Sequence, residues 1–168
     1  TVTIKDDDAI PSMTLLVGSL NLNEDVGTTS TNVTVRLSAV SGKDVTATLT
    51  ISGIATRDGD YTISETTIFI PAESSQTGSV TLTAIGDTFN ELDETVTIDI
   101  DTVINATESG LQRRTVTILN DDAIPTVALS VDPITIGEDQ GITVSNVTAT
   151  LSAPSGRDIT VTLIKTGT

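Results

Sequence analysis

Apolar and polar residues alternate along most of this chain. In Val33-Thr34-Val35-Arg36-Leu37 the apolar side chains fall on one face, and Thr34 and Arg36 on the other. Val45, Ala47, Leu49 and Ile51 repeat the pattern. So do Val80-Thr81-Leu82, Val96-Thr97-Ile98-Asp99-Ile100 and Val116-Thr117-Ile118. The run Thr67-Ile68-Phe69-Ile70 stops at Pro71, which ends or edges a strand. An opening strand from Met13 to Val17 continues brokenly through Leu20 and Leu22. A period of two is the signature of a strand with one buried face. No segment carries apolar residues at helical spacing over three turns. Seven or eight short strands within about 110 residues, separated by Gly, Asn, Asp and Ser, predict an all-β immunoglobulin-like antiparallel β-sandwich.

The chain also repeats itself. Asp7-Asp8-Ala9-Ile10-Pro11 returns as Asp121-Asp122-Ala123-Ile124-Pro125, an offset of 114. Over residues 1–54, 28 of 54 positions are identical to their partners 114 later, without a gap. Glu24-Asp25-x-Gly27 matches Glu138-Asp139-x-Gly141, and Leu37-Ser38-Ala39-x-Ser41-Gly42 matches Leu151-Ser152-Ala153-x-Ser155-Gly156. The period is that of a whole domain rather than of a solenoid unit. Tandem repeats with a 114-residue period are therefore expected. Residues 1–8 would end a preceding repeat, 9–122 form a complete one, and 123–168 begin the next. A first residue of Thr rather than Met fits a piece of something longer.

Composition narrows the chemistry. There is no Cys, His or Trp, which removes disulfides, thiolate–zinc sites and the commonest general base. The 33 Thr residues favour strands, because β-branched side chains pack well on a pleated surface. Rows of Thr-x-Thr read as the solvent-facing sides of those strands. With three aromatic residues in the chain, the core must be Val, Ile and Leu, with Tyr61 and Phe69 as the large candidates to fill it. Lys and Arg total 8 against 23 Asp and Glu, a net charge of −15, which opposes binding to a nucleic-acid backbone. No apolar run is long enough to span a membrane.

The acids gather between strands. Glu24 and Asp25, then Asp58 and Asp60, then Asp87, Glu91, Asp93 and Glu94, then Asp121 and Asp122 occupy four separate gaps. Alternate connections of a sandwich lie at the same end, so these four can share one pole, while Ser41-Gly42-Lys43 and 71–77 fall at the other. Clustered carboxylates repel, and a hard cation such as calcium relieves that repulsion. The Asp87-x-x-x-Glu91-x-x-Glu94 spacing lacks the ligand pattern and central Gly of an EF-hand. Paired carboxylates also serve glycosidases, but a chain with three aromatic residues offers little to grip a sugar.

Taken in order, these pieces resemble the Calx-β domain, the calcium-binding β-sandwich of sodium–calcium exchangers and of many large bacterial surface proteins. The resemblance rests on Asn23-Glu24-Asp25-x-Gly27, the Leu37 to Val45 turn, and Gly53-x-Ala55-x-x-Asp58-x-Asp60-Tyr61-Thr62. It continues through Phe69-x-Pro71-Ala72, Asp87-x-x-x-Glu91-x-Asp93-Glu94 and Val116-Thr117-Ile118-x-Asn120-Asp121-Asp122. It covers Ile10 to Asp122; the second copy carries the first two pieces alone. It implies calcium ligands at Glu24, Asp60, Asp87, Glu91, Glu94, Asp121 and Asp122. The family often has Asp where this chain has Gly86 and Asn120, and Gly where it has Asp58 and Glu73. Asn120 can still offer a neutral side-chain oxygen, and Asp58 can compensate for a lost carboxylate. Asp6, Asp7 and Asp8 would close the site of a preceding repeat, and Glu138 and Asp139 would open that of the next.

The expected function is a calcium-binding structural repeat of a long extracellular or cell-surface bacterial protein. Calcium would tie the loops of each repeat together and stiffen the joint to the next. Expected partners are neighbouring repeats and cell-surface or matrix components, with no nucleic acid and no membrane span. Two other readings stay open. One is an adhesive module that uses calcium to contact a protein or carbohydrate; the other is a regulatory calcium sensor. Enzymatic activity is not expected.

Overall fold

The computed structural model of the chain describes residues 1–168 apart from 6, 25–28, 75, 139, 140, 142 and 168. Asp6, Asp25, Gly27 and Asp139 of the motifs above thus lie outside the described residues. Two compact units emerge, one of residues 1–87 and 93–120, the other of 88–92 and 121–168.

The described residues of the first unit form ten strands in two sheets. They are β1 (Ser12–Val17), β2 (Asn21–Asn23), β3 (Ser30–Leu37), β4 (Val45–Gly53) and β5 (Tyr61–Ile63), then β6 (Thr67–Ile70), β7 (Thr77–Ala84), β8 (Glu94–Ile104), β9 (Thr107–Glu108) and β10 (Arg114–Leu119). One sheet runs β5-β7-β3-β1-β9 and the other β2-β10-β8-β4-β6. The pairings are antiparallel except at two outer positions, where β9 lies parallel to β1 and β2 parallel to β10. The two exceptions use strands of two and three residues, added where the chain crosses from one sheet to the other.

Alternation decides which side chains go inside. Val33, Val35 and Leu37 of β3 are buried, as are Val45, Ala47 and Leu49 of β4, and Val96, Ile98 and Ile100 of β8. Met13 and Leu15 of β1 join them with no exposed surface. Each fully buried aliphatic side chain contributes about 1.5–3 kcal/mol relative to exposure. Tyr61 is buried in this core. Phe69, expected there as well, is instead 55 % exposed. Phase overrides size: Ile68 and Ile70 point inward from the four-residue β6, so the residue between them must point out. Gly78 of β7 makes room for this packing, since a Cβ there would lie 2.6 Å from Ile68 Cγ2.

The second unit contains β11 (Val127–Asp132) and β12 (Asn146–Leu151), paired antiparallel with Val127 opposite Leu151. The β1–β3 pair has the same register 114 positions earlier, with Met13 opposite Leu37. Even the flanking bonds correspond. Ser38 N donates to Ser12 O at 2.8 Å, and Ser152 N donates to Thr126 O at 2.9 Å.

Candidate metal centre

Strand pairing brings distant acids to one end of the first unit. In one sheet, Asn23 lies beside Leu119, Glu94 beside Ile118, and Gly53 beside Val96. In the other, Ser30 lies beside Thr83 and Tyr61 beside Ala84. The residues just beyond these pairs therefore share a pole. They include Glu24, Asp58, Asp60, Asp87, Asp93, Glu94 and Asn120.

Each is held differently. Glu24 follows β2, and its N–H donates to Leu119 O at 3.0 Å, so β10 fixes where it leaves the sheet. Its side chain is 5 % exposed, deep for a carboxylate. After β4, the N–H groups of Ile54 and Ala55 both donate to Thr95 O at 3.1 Å. The chain then coils back through Thr56–Tyr61. Asp60 N donates to Thr56 O at 2.8 Å, and the Asp60 carboxylate accepts from Thr56 N. Asp60 O in turn accepts from Ile85 N at 2.9 Å, which ties this turn to the end of β7. Asp58, inside the turn, adopts φ 65°, and its side chain is exposed.

Around β8 and β10 the arrangement continues. Asp87 is exposed, and Glu94 opens β8 half-buried, with one carboxylate oxygen shielded from solvent. Asn120 N donates to Asp93 Oδ1 at 3.1 Å, so Asp93 braces the chain just after β10. In the second unit, Asp121 is exposed and Asp122 half-buried. Asn90 Nδ2 donates to Asp122 O at 2.8 Å.

Among the described residues, one set of acids converges tightly enough to hold an ion. Glu91, in the second unit, is half-buried, and in the first unit Glu24 and Asp60 each present a carboxylate oxygen within 4.8 Å of the other. Asp58, Asp87, Glu94, Asp121 and Asp122 do not join this set. Sequence reasoning placed Asp93 in the acidic motif but not as a brace, and did not single out the buried Asn90, which carries no periodic or motif signal of its own. Tyr61 follows Asp60 directly and is buried. Burial pushes the Tyr61 hydroxyl above its ordinary value of 10.0; Arg57 opposes the rise, and Asp58 and Asp60 add to it.

This two-sheet layout is found in solved structures. CBD12 from CALX1.2 superposes with a TM-score of 0.56 at 19 % identity, over 66 % of this chain and 44 % of that one. The apo-form Calx CBD1 domain gives 0.54 at 19 % identity, over 68 % of this chain and all of its own length. The calcium binding domain CBD12 of CALX1.1 gives 0.56 at 19 % identity, over 70 % and 49 %. The fold is that of the Calx CBD structures. No family model matches the sequence, and no curated protein does. This chain spans about half the length of the Calx CBD12 structures and about the extent of one Calx CBD1 domain. At this identity the likeness to Calx is one of fold.

Proposed function

We propose that the chain is a calcium-binding structural repeat of a long extracellular or cell-surface bacterial protein. The observation that carries this reading is the buried Glu24 carboxylate, held with the Asp60 carboxylate within 4.8 Å. Withdrawing a carboxylate from water beside others of like charge is costly unless a cation compensates. The spacing suits calcium, whose oxygens lie about 2.3–2.6 Å from the ion, so that ligands on opposite sides stand about twice that apart. Magnesium needs a tighter octahedron and sheds water reluctantly.

In this proposal Glu24, Asp60 and Glu91 hold the ion. Asp58, Asp87, Glu94 and Asn120, with Asp121 and Asp122, are the further oxygen donors that a coordination number of about six to eight requires. The Calx neighbours, one of them a calcium binding domain, agree with this choice of metal. Calcium would join three loops that no backbone ladder connects directly. Its contribution would be rigidity, and neighbouring repeats of the same chain would be its partners. An extracellular setting, with calcium near millimolar, would fill even a weak site.

Thermal melts test this at constant ionic strength, in chelator, magnesium and calcium. Calcium at about 100 times its dissociation constant should add about 2.7 kcal/mol. Magnesium should add less. Equal melting temperatures in chelator and calcium would refute the reading.

A further inference from the structure

The first unit has a cavity of about 530 Å³ away from its acidic end, between the Asp8–Pro11 segment and the turn that joins β3 to β4. That turn is locally built. Ser41 Oγ accepts from Lys43 N at 3.1 Å, and Ser38 Oγ accepts from Ser12 N at 3.0 Å. Both bonds recur 114 residues later. Ser155 Oγ accepts from Arg157 N at 3.1 Å, and Ser152 Oγ accepts from Thr126 N at 2.9 Å. The walls recur too, since Asp8-Ala9-Ile10-Pro11 is identical to Asp122-Ala123-Ile124-Pro125, and Ser41-Gly42 to Ser155-Gly156.

In the second unit this seat is filled. Residues 88–92 lie in it, with Asn90 bridged to Ser155 and 6 % exposed. Asn90 Nδ2 donates to Asp122 O at 2.8 Å, and Asn90 O accepts from Ser155 Oγ at 3.4 Å. Glu91 lies over Gly156 so closely that an added Cβ would come within 2.0 Å of its Oε1. In the first unit the same seat is open. A Cβ on Gly42 would meet nothing within 4 Å. Pro11 is half-buried where Pro125 is buried. Lys43, which lines the cavity, supplies a cation where an acidic side chain would arrive.

We propose that this cavity is the docking site for residues 88–92 of a second copy of the same sandwich. Asp8 O would take the part of Asp122 O towards Asn90, and Gly42 that of Gly156 beneath Glu91. One identical wall, a turn wall that differs at Val40 and Lys43 (Pro154 and Arg157), and two matched turn bonds make the seats chemically alike, and one of them already holds this segment. The proposal is separate from the metal reading, which fails or stands in the calcium melts.

The chain has no cysteine, so single thiols report cleanly on exposure. Gly42→Cys in the 168-residue chain should react quickly with a thiol reagent, whereas Ser155→Cys should react slowly. A two-copy chain, residues 1–122 followed directly by 9–168, then places a second copy before the open seat. There, Gly42→Cys of the later copy should react at least about tenfold more slowly than in the 168-residue chain. Ser52→Cys, an exposed control, should keep its rate. Asn90→Ala in the earlier copy should restore fast reaction at position 42. Equal rates at position 42 in the two chains would overturn the proposal. So would protection that survives Asn90→Ala, because something other than this segment would then cover the seat.

Discussion

Among the described residues, Asp58, Glu73 and Asn105 occupy backbone positions that suit glycine better. Asp58 has φ 65° and Glu73 has φ 56°, both in the left-handed region, where a Cβ crowds the following carbonyl. These are the two places where the sequence departs from the glycines common in the family it resembles, and the dihedral angles give the reason glycine fits there. Glu73→Gly should stabilise the protein by about 0.5–1 kcal/mol, strain relief of about 1–2 kcal/mol outweighing glycine's extra freedom in the unfolded chain. A higher melting temperature checks this. Asp58→Gly should gain less, because Asp tolerates the left-handed region, and a calcium titration of that variant would show whether its carboxylate is a ligand. Tyr61 makes a separate, pH-dependent case. Its hydroxyl is raised above 10.0 by burial, so the folded state resists ionisation more than the unfolded chain does. Its contribution is intact below the ordinary tyrosine value and is lost as pH rises through the higher folded value. Tyr61→Phe should therefore flatten the alkaline fall in stability above about pH 10, read from urea midpoints across pH. The burial of Tyr61 was legible from alternation, and Phe69 would have been too had phase been weighed above size. The depth of Glu24 was not legible, because hydrophobic patterning assigns interiors to apolar residues alone. That depth follows from β2 lying against β10, nearly 100 positions away.

At the level of elements, the longer strands were readable because each buries a full alternating face. The short ones were not. β9 has two residues and β2 three, too few for periodicity to register, and both pair parallel to strands far off in sequence. That the acids after β2, after β4 and before β8 share one end of the first unit follows from the strand directions, whereas which carboxylates meet depends on how each loop is fastened. The exit from β4 shows such a fastening. Gly53 has φ 134°, and a Cβ there would lie 2.0 Å from Thr95 O, the same oxygen that accepts from Ile54 and Ala55. Neither the backbone nor the acceptor can yield without loosening the start of the Asp60 loop. Gly53→Ala should cost about 1–3 kcal/mol, read as a lower urea midpoint with an unchanged slope. Gly42→Ala, with open space at its Cβ, should stay within about 0.5 kcal/mol. If the two variants were equally stable, the close approach at β4–β8 would not constrain the loop.

For the whole molecule, a net charge of −15 creates a general repulsion that any cation reduces, so calcium stabilisation alone does not prove a site. The two effects differ in form. Screening by simple salt acts on all exposed charges and is largely complete once the Debye length falls to about 8–10 Å, near 0.1–0.15 M. Site binding instead rises with the logarithm of free calcium beyond its dissociation constant and ignores added sodium to first order. Sodium chloride should thus raise the melting temperature modestly and then level off, while calcium at fixed ionic strength should keep raising it. Glu24→Gln separates them within one protein. It changes one charge of the −15 and scarcely alters screening, but it removes the buried carboxylate of the Glu24–Asp60 pair. The variant should keep the salt response and lose most of the calcium increment. Calorimetric titration should show at least about a tenfold weaker affinity, equivalent to about 1.4 kcal/mol. If Glu24→Gln responds to calcium as the parent does, the ion acts on the diffuse charge of the surface, and the buried Glu24 carboxylate is no ligand.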